Sequence, residues 1–168
     1  MRRGMTRRER EVTDREEIRK ILDKCQILHL GLTDGDEPYV VPLNYGYTME
    51  NGNLVLYVHG ATAGYKLDLI QANPKVFIEM DCDVIPFEGQ KACQNGTAYA
   101  SVMGRGRAEI LEDVEEKKKG LSILMKTQTG KDFEFNDKMV SIVSVIRITV
   151  SENTAKHRPL PKTMVSEQ

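Results

Sequence analysis

His59 and Lys66 stand at the two ends of His59-Gly60-Ala61-Thr62-Ala63-Gly64-Tyr65-Lys66, and this segment holds the chemistry the chain can do. The small residues between them leave backbone amides uncovered, and Lys66 falls in the first turn of the helix expected next. Uncovered amides, a helix N-terminus and one ammonium suit a phosphate group. His59 abuts a glycine loop rather than an apolar face, which puts its imidazole on the ligand side. The plain alternatives are a histidine that ends a strand and a lysine that is merely on the surface.

The other reactive residues read more quietly. His29 lies mid-strand, as a satisfied core or edge histidine does, and His157 lies in a C-terminal tail. Tyr39, Tyr45, Tyr47 and Tyr57 fall in strands, where tyrosine packs. Cys25, Cys82 and Cys93 are odd in number and lack CxxC spacing, so free thiols are expected rather than a disulfide framework. Cys82 and Cys93 flank a stretch that could fold back as a hairpin, which leaves open whether they meet. Cysteine and histidine positions form no metal-ligand spacing, so no metal is expected.

Elements that could position the loop follow from periodicity. Thr13 with Glu16 makes a capping box, and Ile18, Ile21, Leu22 and Cys25 then share a helical face, so a helix is expected over 14–24. Strands are expected over 27–32, 39–47, 54–58, 76–80, 97–110 and 141–150. Asn51-Gly52 between two apolar runs is a strong hairpin turn. Pro42 marks an edge or bulge, where unpaired backbone groups can meet a flat ligand. A short helix over 65–71 ends ahead of Asn73-Pro74, because the residue before proline avoids helical geometry. Gly104 and Gly106 suggest a bend in the long strand. A second helix covers 114–126, less regular for the Gly120 inside it. Residues 83–95 read as a mobile connection or widened hairpin. The fold class expected is mainly β: a six-stranded antiparallel split barrel of Greek-key type with flanking helices. An open α+β sheet is the alternative. The organisation is an arm over 1–13, a barrel domain over 14–150 and a tail over 151–168, the tail ordered only by docking.

The totals exclude several classes. The 168 residues suffice for one domain with a real core, and 40% apolar with 29% charged residues is the composition of a soluble globular protein. A formal charge of −1 supplies no field for nucleic acid or an acidic membrane. The arginines of the N-terminal stretch alternate with acids and neutralise one another. No apolar run approaches a membrane span and no apolar segment follows the basic start, so the cytoplasm is the expected compartment. Gly104-x-Gly106 lacks a third glycine and lies in a strand, which excludes a Rossmann reading.

Several segments together resemble the pyridoxamine 5'-phosphate oxidase-like, flavin-binding split-barrel superfamily, and within it the nitroimidazole-resistance (Nim) group. They are Arg7-Arg8-Glu9-Arg10-Glu11-Val12-Thr13-Asp14, Pro38-Tyr39-Val40-Val41-Pro42-Leu43-Asn44-Tyr45-Gly46-Tyr47, His59-Gly60-Ala61 with Gly64-Tyr65-Lys66, and Asn73-Pro74-Lys75-Val76. The likeness spans roughly 7–150. It implies a homodimer with FMN, less often FAD, in clefts between subunits. Val41, Pro42, Leu43 and Asn44 would lie along the flavin ring through main-chain groups. His59, Gly60, Ala61, Gly64 and Lys66 would surround the phosphate, and Ser101 and Val102 would approach from the long strand. The matching histidine makes His59 the candidate proton donor to a small planar acceptor such as a 5-nitroimidazole. No arginine cluster stands ready for a second phosphate, which argues against pyridoxamine phosphate as substrate. The residues leave FMN, FAD and a deazaflavin undivided. A non-enzymatic flavin- or haem-binding barrel is the alternative function, and an interaction protein docking through its basic N-terminal helix is a third.

Overall fold

The computed structural model describes residues 4–162; Met1–Arg3 of the expected arm and residues 163–168 of the expected tail lie outside the described residues. Eight strands form one antiparallel sheet that curls into a split barrel: β1 (Glu11–Val12), β2 (Leu28–Asp34), β3 (Glu37–Leu43), β4 (Gly46–Glu50), β5 (Asn53–Gly60), β6 (Lys75–Phe87), β7 (Gly96–Ile110) and β8 (Ser144–Arg158). Their order is β3-β2-β6-β7-β8-β5-β4, with β1 added beside β8. The helices are α1 (Arg15–Lys24), α2 (Tyr65–Ala72), α3 (Val114–Thr129) and α4 (Asp137–Ser141).

Alternate residues of the central strands point inward, as a period of two requires. Leu28, Leu30, Leu54, Leu56, Val58, Ile78, Met80, Val102, Ile146 and Ile148 are wholly buried there, and α1 lays Ile21, Leu22 and Cys25 over the same core. A second cluster of Tyr57, Leu111, Leu121, Val140 and Val145 sits beneath α3. Gly120 causes no irregularity in α3. A Cβ there would come within 2.8 Å of the Tyr57 ring and 2.9 Å of Val145, so the glycine lets helix and sheet approach.

Six expected strands became eight for two reasons. Glu11–Val12 of the arm pairs with Ala155 and Lys156. The strand expected over 39–47 is broken at Asn44-Tyr45, where Tyr45 dives into the core and its hydroxyl donates to the carbonyls of Leu22 (2.6 Å) and Cys25 (3.0 Å). Gly46 then lies against α3 so closely that a Cβ would meet Leu124 Cα at 2.3 Å. Tertiary packing overrides an unbroken β pattern at that point. Pro42 does lie on an edge, since β3 pairs with β2 alone.

Other boundaries also move. The cap of α1 is Asp14, which accepts from the Glu17 amide at 3.0 Å, one residue beyond the expected Thr13 box. The Asn51-Gly52 turn has φ of 50° and 82°, the left-handed pair that a two-residue hairpin needs. β6 runs to Phe87 rather than stopping at Met80. It passes an irregularity between Cys82 and Ile85 where Asp83 takes φ 54°, and this break hides the second half of the strand from a period-two reading. The ladder between β7 and β8 shifts between Arg105 and Gly106, as the paired glycines suggest. The expected tail is largely strand: β8 continues to Arg158 and pairs with β7 as far as Tyr99.

Candidate functional site

β5 ends at Gly60 opposite Ser144, the first residue of β8. The chain then crosses Ala61 to Gly64 and enters α2, whose N-terminus Gly64 caps with φ 151° and ψ 164°. Gly64 accepts the amides of Leu67 and Asp68 through its carbonyl. Ser144 is buried, and its hydroxyl donates to the Ala61 carbonyl at 2.7 Å, fixing the loop from below. Lys66 extends back over Gly60, where a Cβ would stand 2.9 Å from its Nζ.

Among the described residues Lys66 has no carboxylate partner, and partial burial holds its pKa below the ordinary lysine value. His59 is exposed at the rim. Partial burial first, then the Lys66 charge, hold its imidazole below the ordinary histidine value. The rim therefore carries one uncompensated cation, a neutral imidazole and loop backbone held open.

The β2–β3 hairpin leans on the same helix start. Tyr65 donates from its hydroxyl to Asp34, and the Tyr39 and Tyr65 rings meet edge to face with centroids 5.1 Å apart. Asn73 donates its side-chain amide to the Thr33 hydroxyl at 3.0 Å. Tyr39 of β3 thus meets the start of α2, and Val41, Pro42, Leu43 and Asn44 follow it in the chain, with Leu43 opposite Leu28. Val41 and Leu43 turn toward the core, while Pro42 and Asn44 are exposed.

Ser101 and Val102 are not brought there. Ser101 pairs with Lys156, twelve residues along β8 from Ser144, or about 40 Å of strand contour. Ser101 instead lines a shallow groove with Glu79, Asp81, Val84, Thr97 and Tyr99. Val102 is fully buried beside Met80 and Ala155, so its side chain has no face to offer a ligand. Within one chain these two residues belong to another surface. Ser144 and Tyr65 are the site residues the sequence reading missed. A serine opening an otherwise apolar strand was the available signal for the first.

A cavity of about 660 Å³ lies elsewhere, between α1, β1 and the far ends of β7 and β8. The Lys66 cation is what singles out the His59–Lys66 rim. Among the described residues no group of three or more His, Cys, Asp or Glu could hold a metal, and no helix is long and apolar enough to cross a membrane.

An antiparallel split barrel with a glycine loop and a lysine where a strand passes into a helix defines the class of this molecule. The chain belongs to the pyridoxamine 5'-phosphate oxidase family, whose model matches residues 14–157. It is similar to a solved structure from Bacteroides thetaiotaomicron described as a candidate 5-nitroimidazole antibiotic resistance protein. Identity is 33% over 87% of this chain and 85% of that one, with a TM-score of 0.74. The flavocytochrome Anf3 from Azotobacter vinelandii shares the fold at 20% identity, over 94% of this chain and 73% of that one, with a TM-score of 0.76. The FAD- and haem-binding protein from Mycobacterium smegmatis does so at 16%, over 88% and 73%, with a TM-score of 0.74. No curated protein matches the chain.

Proposed function

We propose that this protein is an FMN-dependent oxidoreductase that passes electrons to a small planar acceptor of the 5-nitroimidazole type. The observation that carries this reading is the Lys66 ammonium, unpaired among the described residues, lying over Gly60 beside an exposed loop. A phosphate monoester fits that cradle through one cation and a helix N-terminus, with Asp68 the acid in that helix's first turn. Family membership and 33% identity to the Bacteroides protein support the flavin and the acceptor class. FMN is preferred to FAD because the loop offers a single cation for a single phosphate.

Bound flavin supplies the redox chemistry, and the chain supplies position, charge and exclusion of water. Lys66 anchors the phosphate. Ser144 holds the Ala61 carbonyl and so sets the loop. Val41 to Asn44 offer edge-strand backbone to a ring. Burial chiefly, and the Lys66 charge second, keep His59 neutral; a phosphate on Lys66 cancels the smaller of the two and lets the imidazole rise in part. His59 then becomes a better proton donor only when the cradle is filled. The site needs a second wall, and the distance from Gly60 to Ser101 along β8 favours a homodimer in which Ser101 serves the partner's cleft.

Purified protein tests this directly. It should be yellow or turn yellow with FMN, quench FMN fluorescence at saturation, and bleach the nitro absorbance of a 5-nitroimidazole with NAD(P)H. Colourless protein without FMN quenching, or a Soret band on haem titration in place of flavin binding, would overturn the proposal.

A further inference from the structure

We propose that Cys25 and Cys82 are a site of reversible oxidation, closing as an intramolecular disulfide that staples the end of α1 to the irregular middle of β6. Cys25 ends α1, and its amide donates to the Ile21 carbonyl at 3.0 Å. The Cys82 thiol points at that same carbonyl, 3.9 Å away. One acceptor thus gathers both cysteines, and their thiols stand within hydrogen-bonding reach of each other. The flanking residues repeat the contact, since Lys24 Nζ and Asp83 Oδ2 are 2.8 Å apart. Asp83 follows Cys82 at φ 54°, where the β6–β7 register breaks, so local adjustment there costs fewer ladder bonds than in a regular strand. Cys93 is exposed in the short turn Ala92–Gln94 and takes no part.

Burial orders the two sulfurs. Cys82 is half-buried and Cys25 buried, so a small oxidant meets Cys82 first with Cys25 behind it. The cavity of about 660 Å³ is lined by Ile21, Lys24 and Asp83, neighbours of the two cysteines. The Cys82 sulfur attacks the terminal peroxide oxygen. An S–O bond forms as the O–O bond breaks, and water or an alcohol leaves. The Cys25 sulfur then attacks the Cys82 sulfenic acid, an S–S bond forms, and water leaves. Two thiols are oxidised and one hydroperoxide is reduced. Desolvation holds both thiols above their ordinary range. Asp81 and Glu79 of β6 and Asp83 after Cys82 act in the same direction, with Tyr45 facing Cys25, while Lys24 of α1 opposes them at Cys82. Oxidation is therefore slow at neutral pH and accelerates in alkali.

The test is hydrogen peroxide treatment of the full chain carrying Cys93→Ser, followed by peptide mapping without reductant and a melting curve. The expected result is one linked peptide pair containing Cys25 and Cys82, released by dithiothreitol. The melting midpoint should rise by roughly 10 °C through constraint of the unfolded chain. Cys25→Ala and Cys82→Ser should each abolish both signals, and a folding defect in one leaves the other to report. Cys82 over-oxidised to sulfinic acid beside a free Cys25, or cross-links only between molecules, would overturn the proposal.

Discussion

Lys66 and Arg147 are served by one strand and have opposite surroundings. β8 begins with Ser144, which fixes the loop under Lys66, and three residues on it carries Arg147. The Arg147 guanidinium sits between Glu109 at 2.8 Å and Glu116 at 2.9 Å, and the two carboxylates push its pKa up further. Lys66 has no carboxylate, a lowered pKa and a glycine cleared from its path. A cation matched twice by the protein is part of the architecture. A cation partly withdrawn from water without an anion costs some stability until something else supplies the charge. The contrast separates structure from function along a single strand.

Breaking the matched and unmatched sides should give opposite results. The largest expected effect is Lys66→Met, which weakens FMN binding by about 10- to 100-fold, the worth of a charge-assisted contact. The same change should leave the ligand-free melting midpoint unchanged or higher, because an unpaired cation is gone. Calorimetric titration and melting curves check the two halves. Next comes Ser144→Ala, which frees the Ala61 carbonyl and should weaken FMN roughly fivefold, about 1 kcal/mol, while riboflavin affinity stays the same. Arg147→Ala should lower stability by about 1 kcal/mol, since its partners are partly exposed, and leave flavin affinity untouched. If Arg147→Ala weakened FMN as much as Lys66→Met, the comparison would fail.

The smallest effect concerns pH. The folded imidazole of His59 lies below its unfolded value, so the unfolded chain takes up that proton first. Its contribution to stability is complete above the unfolded histidine pKa, near 6.5, and is lost as pH falls through the folded value. His59→Gln should flatten this part of the melting-midpoint profile. Saturating FMN should flatten it only in part, because it compensates Lys66 and leaves the larger contribution of burial.

The sequence disclosed the loop and the turns well, because their signals are local. Gly60 to Gly64 reads as open backbone, Asn51-Gly52 as a left-handed turn, and Asn73-Pro74 as a helix stop, each through covalent geometry that neighbours cannot alter. Features decided by distant partners stayed hidden. Tyr45 breaks a continuous β pattern only because Leu22 and Cys25 present carbonyls to it. β6 looks short because Asp83 takes a left-handed conformation no local rule requires. Residues 151–158 look like a tail until β7 supplies a partner. Ser101 carries the same lesson for the site. The resemblance implies it at the flavin cleft, and the β7–β8 register puts it at the other end of β8 from Ser144, a different surface within one chain.

The central claim is that Lys66 and its loop grip a phosphate, and the relative affinity for FMN and riboflavin measures it most directly. Titrating both ligands into wild type and Lys66→Met isolates the phosphate from the ring they share. Wild type should prefer FMN by about tenfold or more, and the variant should bind both alike. Equal affinities in wild type, or a preference that survives loss of Lys66, would contradict the account.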